Sequence, residues 1–265
     1  RGASAGSRQQ RNRRQVMIID VHGHLGEDVV FDEQQTEEQL LDAYKKNGVD
    51  GAIIQPYLPR IYMEDHVRIH DRIYEMTKCK EKRFWGMASI NPHFRPEEYD
   101  KEAVRCIREL KFVGIKITPI GHACHPSSKD AMHVWEVCRE LKVPLMIHTG
   151  AGIPFSDPMS VEKALRSFPD VPCILAHAGS EMHHQQAAYL AAKYENVYLE
   201  PSWVGVIGVM NMIRQVGCDK IMFSSDNIYQ IPVELAKYRS VIKEEEELEK
   251  VLYKNAARVY GLDVD

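Results

Sequence analysis

Five residues have the types and spacing to do chemistry together: His22, His24, His148, His177 and Asp226. Each stands at the last or next-to-last position of a short apolar run that gives way to Gly, Ser or polar residues. Imidazole nitrogens and a carboxylate suit a divalent transition metal such as zinc. In an extended strand, residues two apart face the same way. The run 17–24 (MIIDVHGH) therefore lines Asp20, His22 and His24 up with Ile18, a two-toothed metal fork, while Val21 and Gly23 face oppositely. A lone histidine in an apolar strand is usually a packed core residue, but His148 (PLMIHTG) and His177 (CILAHAG) end two runs of one design with glycine just beyond. Asp226 closes KIMFSSD, where a catalytic or ligand role is compatible with capping the helix that follows.

Other candidates are more ambiguous. Lys116 in GIKI shares a face with Gly114 and Thr118, which permits an inward lysine without placing it at a metal. The segment 121–128 (GHACHPSS) offers His122, Cys124 and His125 to a substrate or a second ion, against the ordinary reading of solvated loop residues. Tyr57 and Trp203 fit pocket walls or plain packing, and Arg60 fits an anion-binding role on the rim. The charged run 243–249 reads as a solvated helix face.

Residues this far apart in sequence meet only if a fold gathers strand ends. Eight compact apolar runs follow one another: 17–24, 51–56, 84–92, 112–119, 144–150, 173–179, 197–202 and 220–226. Their spacing suits βαβ units, and their near-continuous hydrophobicity suits parallel strands covered on both faces. Between them, Thr36 opens a capping box (TEEQ) for a helix that stops at Asn47-Gly48, and further helical patterns run through about 97–110, 130–142, 181–195 and 246–260. The expectation is a single-domain (β/α)8 barrel of the TIM type over 16–265, with the five residues at its C-terminal rim. A doubly wound open sheet would bring a glycine-rich phosphate loop after the first strand, where this chain has His-Gly-His.

Composition narrows the partners. With 34 basic against 38 acidic residues the formal charge is -4, which gives no electrostatic reason to expect nucleic acid or an anionic membrane, and a small-molecule substrate is expected instead. Homo-oligomerisation is left open. The six cysteines contain no C-x-x-C pair, so reduced thiols and a cytoplasmic setting are expected rather than a disulfide framework. No apolar stretch approaches the roughly 18 residues of a spanning helix. Residues 1–15 hold five arginines and nothing substantial to bury, and read as a disordered basic leader or a cloning remnant.

The motifs DVHGH, GIKITP, IHTG, LAHAG and FSSD, in that order, resemble the amidohydrolase superfamily, and KNAARVYGL (254–262) is similar to the C-terminal helix of its amidohydrolase-related branch, which also contains metal-dependent decarboxylases. The resemblance spans about 17–262. It implies a mononuclear site in which His22, His24 and His148 bind the metal, Asp226 binds it or takes a proton, and His177 orients or polarises the reacting group. Zinc is the first expectation for the ion, with manganese or iron as alternatives. In binuclear members a fourth-strand lysine is carboxylated and bridges two metals, so Lys116 decides between one ion and two.

The first functional expectation is a metal-dependent hydrolase acting on a small-molecule amide, lactone or ester. The second keeps the site and makes it a decarboxylase or other lyase of an unsaturated or aromatic carboxylic acid, with Asp226 or His177 handling the proton. The third is a catalytically inactive metal-binding barrel, against which stands the retention of all five residues.

Overall fold

The structure, a computed structural model, describes residues 16–264 except 151 and 153, so the arginine-rich segment 1–15 lies outside the described residues. Eight strands form one curled sheet: β1 (Ile19–Asp28), β2 (Glu33–Gln35), β3 (Gly51–Pro56), β4 (Arg83–Ser89), β5 (Gly114–Ile117), β6 (Leu145–His148), β7 (Cys173–Ala176) and β8 (Val197–Glu200). Their order is β2-β1-β3-β4-β5-β6-β7-β8. Every pairing is parallel except that of β2, a short strand folded back on the end of β1.

Helices cover the sheet because each crossover carries an amphipathic stripe. Glu37–Asn47 is opened by the expected capping box, in which Gln39 N donates to Thr36 Oγ1 at 3.3 Å and Thr36 N donates to Gln39 Oε1 at 2.9 Å. It ends at Gly48, whose φ of 68° lies in the left-handed region that glycine adopts without a Cβ clash. The expected helices appear at Pro96–Val104, Lys129–Leu141, Ser180–Lys193 and Asn255–Tyr260, the first and last adjoining π-turns at Arg105–Glu109 and Lys250–Lys254. Met63–Thr77, Val206–Val216 and Ile231–Val241 supply further helices.

Two buried clusters mark the two sides of the sheet. Ile19, Val21, Ile53, Met87, Met146, Ile174 and Met222 pack together inside the curl, while the larger cluster, with Ile18, Leu25, Ile54, Ile115, Ile147 and Leu175, lies between strands and helices. Strict alternation on β1 therefore fails, because Asp20 pairs with Ala52 while Gly23 pairs with Ile54, three steps on β1 against two on β3. The extra residue is a bulge. It turns His22 and His24 inward in phase with Ile19 and Val21, whereas Asp20 meets the phenol of Tyr44 in the helix behind the sheet. The expected face shared by Ile18, Asp20, His22 and His24 is thus corrected. Gly23 makes the bulge possible, since a Cβ there would run into the Tyr44 hydroxyl and come within 2.9 Å of Ile54 Cδ1.

Seven of the eight expected parallel runs are strands; the eighth, 220–226, forms only a bridge between Ile221 and Leu199. It still lies between β8 and β1. Met222 N donates to Leu199 O at 2.9 Å, Val21 N to Phe223 O at 3.2 Å and Asp226 N to His22 O at 2.9 Å. What interrupts the ladder is the fate of two amides: Phe223 N bonds Val251 O at 2.8 Å and Ser225 N bonds Asp20 Oδ1 at 3.0 Å, so neither is available to a neighbouring strand. The architecture is thus an α/β fold with a curled eight-strand sheet. All six cysteines are free, and among the described residues no helix is long and apolar enough to cross a membrane.

Candidate metal centre

The strand ends bring His22, His24, His148, His177, Lys116 and Asp226 to one place. His22 Nε2 lies 3.0 Å from His24 Nε2 and 3.2 Å from Asp226 Oδ1, and His24 Nε2 lies 3.3 Å from the same oxygen. His177 Nε2 stands 3.9 Å from Asp226 Oδ1, and its ring centroid is 5.0 Å from that of His22 and 4.6 Å from that of His148. Lys116 Nζ approaches His22 Nε2 to 2.5 Å.

Outer partners fix the tautomers. His24 Nδ1 bonds Pro56 O at 3.0 Å, and His22 Nδ1 bonds Glu200 Oε2 at 2.8 Å; both partners only accept, so each Nδ1 carries the proton and each Nε2 presents a lone pair. Two lone pairs and a carboxylate oxygen therefore converge within hydrogen-bond distance with no proton of their own to share. His148 Nε2 is buried with no partner at all. His22, His24 and Asp226 each offer a ligand atom within 4.8 Å of the others, a group that could hold a divalent cation such as zinc or manganese, whereas His148 stands outside that grouping. Burial pushes His22, His148 and His177 below the usual imidazole range, which keeps their lone pairs free, and draws Lys116 down to about 8. Burial alone would raise Asp226, but the surrounding histidines, His177 first, hold it well below the usual carboxylate range.

Glu200 was not among the sequence candidates, yet it organises the cluster. Fully buried, it accepts from His22 Nδ1, from His177 N at 2.9 Å, from Ser202 N at 3.0 Å and from the Ser224 hydroxyl. A legible signal existed: VYLE places Glu200 at the fourth position of its strand as LMIH places His148. Ser202 Oγ bonds His177 Nδ1 at 2.7 Å, and Trp203 Nε1 donates to Asp226 Oδ2 at 2.8 Å. His177, Trp203 and Asp226 hold φ of 58°, 65° and 63°, left-handed values that are uncommon outside glycine and concentrate at functional sites.

Above the cluster lies a cavity of about 210 Å³. Its lining includes His24, His148, His177, Lys116 and Asp226, with Tyr57, Trp203 and Tyr229 among its walls. The Tyr57 ring stacks on His24 at 4.6 Å. The loop candidates stand apart. His122 is buried with its Nδ1 accepting from Thr118 N at 3.2 Å, while His125 accepts from Ser127 N at 3.1 Å and lies 6.1 Å from the Phe155 ring; neither lines this cavity, nor does Cys124. Arg60 does not line it but borders an adjoining outer groove that shares Asp28 and Glu33 with the cavity.

Comparison with known proteins gives the fold and the family. The structure is similar to 2,6-dihydroxybenzoate decarboxylase from Rhizobium, at 17% identity and a TM-score of 0.76, covering 94% of this chain and 100% of that one. It is also similar to 5-carboxyvanillate decarboxylase from Sphingomonas paucimobilis, at 16% identity and a TM-score of 0.74, covering 94% and 100%. A dihydroxybenzoic acid decarboxylase from a Polaromonas species, solved with manganese and the inhibitor 2-nitroresorcinol, matches at 16% identity and a TM-score of 0.73, covering 94% and 98%. The model of one family, described as amidohydrolase, matches residues 19–262, and the chain belongs to that family.

Proposed function

We propose that this protein is a metal-dependent decarboxylase of a small aromatic or unsaturated carboxylic acid. The observation that carries the reading is Lys116, the one cationic side chain among the described lining residues, at the floor of a small cavity beside the ligand cluster and beneath aromatic walls. A carboxylate entering there meets Lys116, while its carbon skeleton meets Tyr57, Trp203 and Tyr229. A cavity of about 210 Å³ is below the usual 300–1,000 Å³ of ligand sites and suits a single ring. The neighbours that act on aromatic acids support this reading over hydrolysis of an amide, lactone or ester.

In this reading His22, His24, His148 and Asp226 Oδ1 hold one divalent ion, zinc or manganese, and Lys116 stays uncarboxylated. The ion supplies a positive charge that draws electrons out of the substrate. The remaining work belongs to the chain. Glu200 keeps His22 and His177 oriented, and Trp203 fixes the second oxygen of Asp226. His177, protonated from water and standing 3.9 Å from the Asp226 carboxylate, delivers a proton to the carbon that bears the carboxylate. The bond to the carboxylate then breaks, its electron pair returns to the ring or double bond, carbon dioxide leaves, and His177 recovers its proton from water. The sheet, continued by 220–226 between β8 and β1, is read here as a closed (β/α)8 barrel whose rim carries the site.

The test is a metal-loaded preparation offered hydroxybenzoates and, in parallel, lactones and N-acyl compounds. Release of carbon dioxide that disappears in His148→Ala supports the reading; hydrolysis of the second set alone removes it.

A further inference from the structure

We infer that Glu33 selects the substrate by the group at the end away from its carboxylate: an N–H or O–H donor is accepted there and a second carboxylate is refused. The inference rests on the decarboxylase reading. The cavity lining carries both signs of charge. Lys116 lines it beside the histidine cluster, and Asp28, Glu33 and Asp226 line it as carboxylates. Asp28 and Glu33 are direct partners in the antiparallel pairing of β1 with β2, an arrangement of like charges that costs stability wherever it stands in a sheet. Neither is neutralised by an ion pair among the described residues. Asp28 Oδ1 accepts from Val30 N at 2.7 Å and Phe31 N at 3.2 Å, which locks it in place. Glu33 is less engaged. Its Oε2 receives Tyr57 Oη at 3.5 Å and Asn227 Nδ2 at 3.4 Å, both at the long end of hydrogen bonding, and both donors line the same cavity. Arg60 shares an outer groove with Asp28 and Glu33 but is not among the residues that line this cavity.

An acceptor with weak partners, held at a cost against a like charge, is suited to a ligand that brings a donor. A hydroxyl or amino substituent completes its hydrogen bonding. A second carboxylate is repelled by both acids. The probe set is benzoate, its 3- and 4-hydroxy and 3- and 4-amino derivatives, 4-methylbenzoate and the 1,4-dicarboxylate, titrated calorimetrically into the metal-loaded full chain. The expected result is that the best donor-bearing acid binds about tenfold more tightly than the methyl isostere, the gain of one hydrogen bond to a charged group. The dicarboxylate is expected to bind more weakly than benzoate itself. Glu33→Gln, a rim substitution, should lessen the dicarboxylate penalty, and Glu33→Ala should abolish the donor's advantage. Wild-type protein that binds the dicarboxylate as tightly as the hydroxy acids, or none of the series, overturns the inference, as does a ranking unchanged in the variants. Carbon dioxide release from the same series judges the reading separately. A donor ranking without carbon dioxide removes the decarboxylase and keeps the selectivity; carbon dioxide with a flat ranking does the reverse.

Discussion

Trp203 donates its indole N–H to Asp226 Oδ2 at 2.8 Å while Asp226 Oδ1 faces His22 and His24 at 3.2 and 3.3 Å. One carboxylate thus has one oxygen assigned to an aromatic on the rim and the other to the ligand cluster. Removing the indole frees the carboxyl to rotate, and partners of this kind are typically worth about 10–100-fold in metal affinity or activity. Trp203→Phe is expected to weaken metal binding within that range. Because Trp203 is 43% exposed, the circular dichroism and melting temperature should stay near wild type. A metal titration read alongside the melt separates the two effects, and unchanged affinity would show that the bond does not orient Asp226.

Glu200→Gln tests the tautomers. The amide can donate to His22 Nδ1, which would move the imidazole proton to Nε2 and remove the lone pair aimed at the cluster. Metal affinity is expected to fall about 10–100-fold. Loss of a buried, multiply bonded carboxylate should also cost about 1–3 kcal/mol in urea unfolding. Proton and nitrogen chemical shifts of His22 in the metal-free protein report the tautomer directly. A retained Nδ1 proton would contradict the assignment.

Gly23→Ala is expected to cost about 1–3 kcal/mol by overpacking, since the added methyl meets the Tyr44 hydroxyl and Ile54. The bulge between Asp20 and Gly23 would have to relax, displacing His22 and His24 as well. Chemical denaturation measures the first effect and metal titration the second. A stable variant with full affinity would show that the bulge tolerates a side chain.

His66 and His122 give the fold an acid limit. Burial lowers His66 to about 4 and His122 to about 3, whereas both return to about 6.5 when unfolded. The native state therefore binds fewer protons between these values, so stability is complete above pH 6.5 and falls as pH drops toward 4. Each histidine contributes about 1.4 kcal/mol per pH unit in that window. His66 Nδ1 donates to Ser89 O at 3.0 Å, and His66→Gln keeps a donor there without a titrating ring. Urea midpoints at pH 7.5, 6 and 5 should decline less steeply in the variant, and equal slopes would exclude His66.

Much of the site was legible because single strands carry it. His148 and His177 end apolar runs with glycine beyond, and such ends had to share a rim if the strands were parallel. For Lys116, phase only permitted an inward side chain, and the structure is what places it against His22. Less could be read where the determinants are not local. The bulge on β1 depends on Tyr44 and β3, so alternation alone put Asp20 on the wrong face. The segment 220–226 reads as a strand by hydropathy, but Asp20 and Val251 take its amides. Glu200 was overlooked because a carboxylate in an apolar strand acquires meaning only once His22 and His177 stand beside it. The loop histidines were suggested by residue type alone, and position decides their place: neither lines the cavity, and one ring nitrogen of each accepts from a neighbouring backbone amide, while His122 Nε2 is buried without a hydrogen-bond partner.

The most direct test is carbon dioxide release. The manganese- or zinc-loaded full chain is incubated with hydroxybenzoates and evolved carbon dioxide is quantified against product, with chelated protein and His22→Ala as controls. Equimolar carbon dioxide and decarboxylated product, lost in both controls, is the expected result. No carbon dioxide from any carboxylate, with metal-dependent cleavage of lactones or N-acyl compounds by the same preparation, would contradict it.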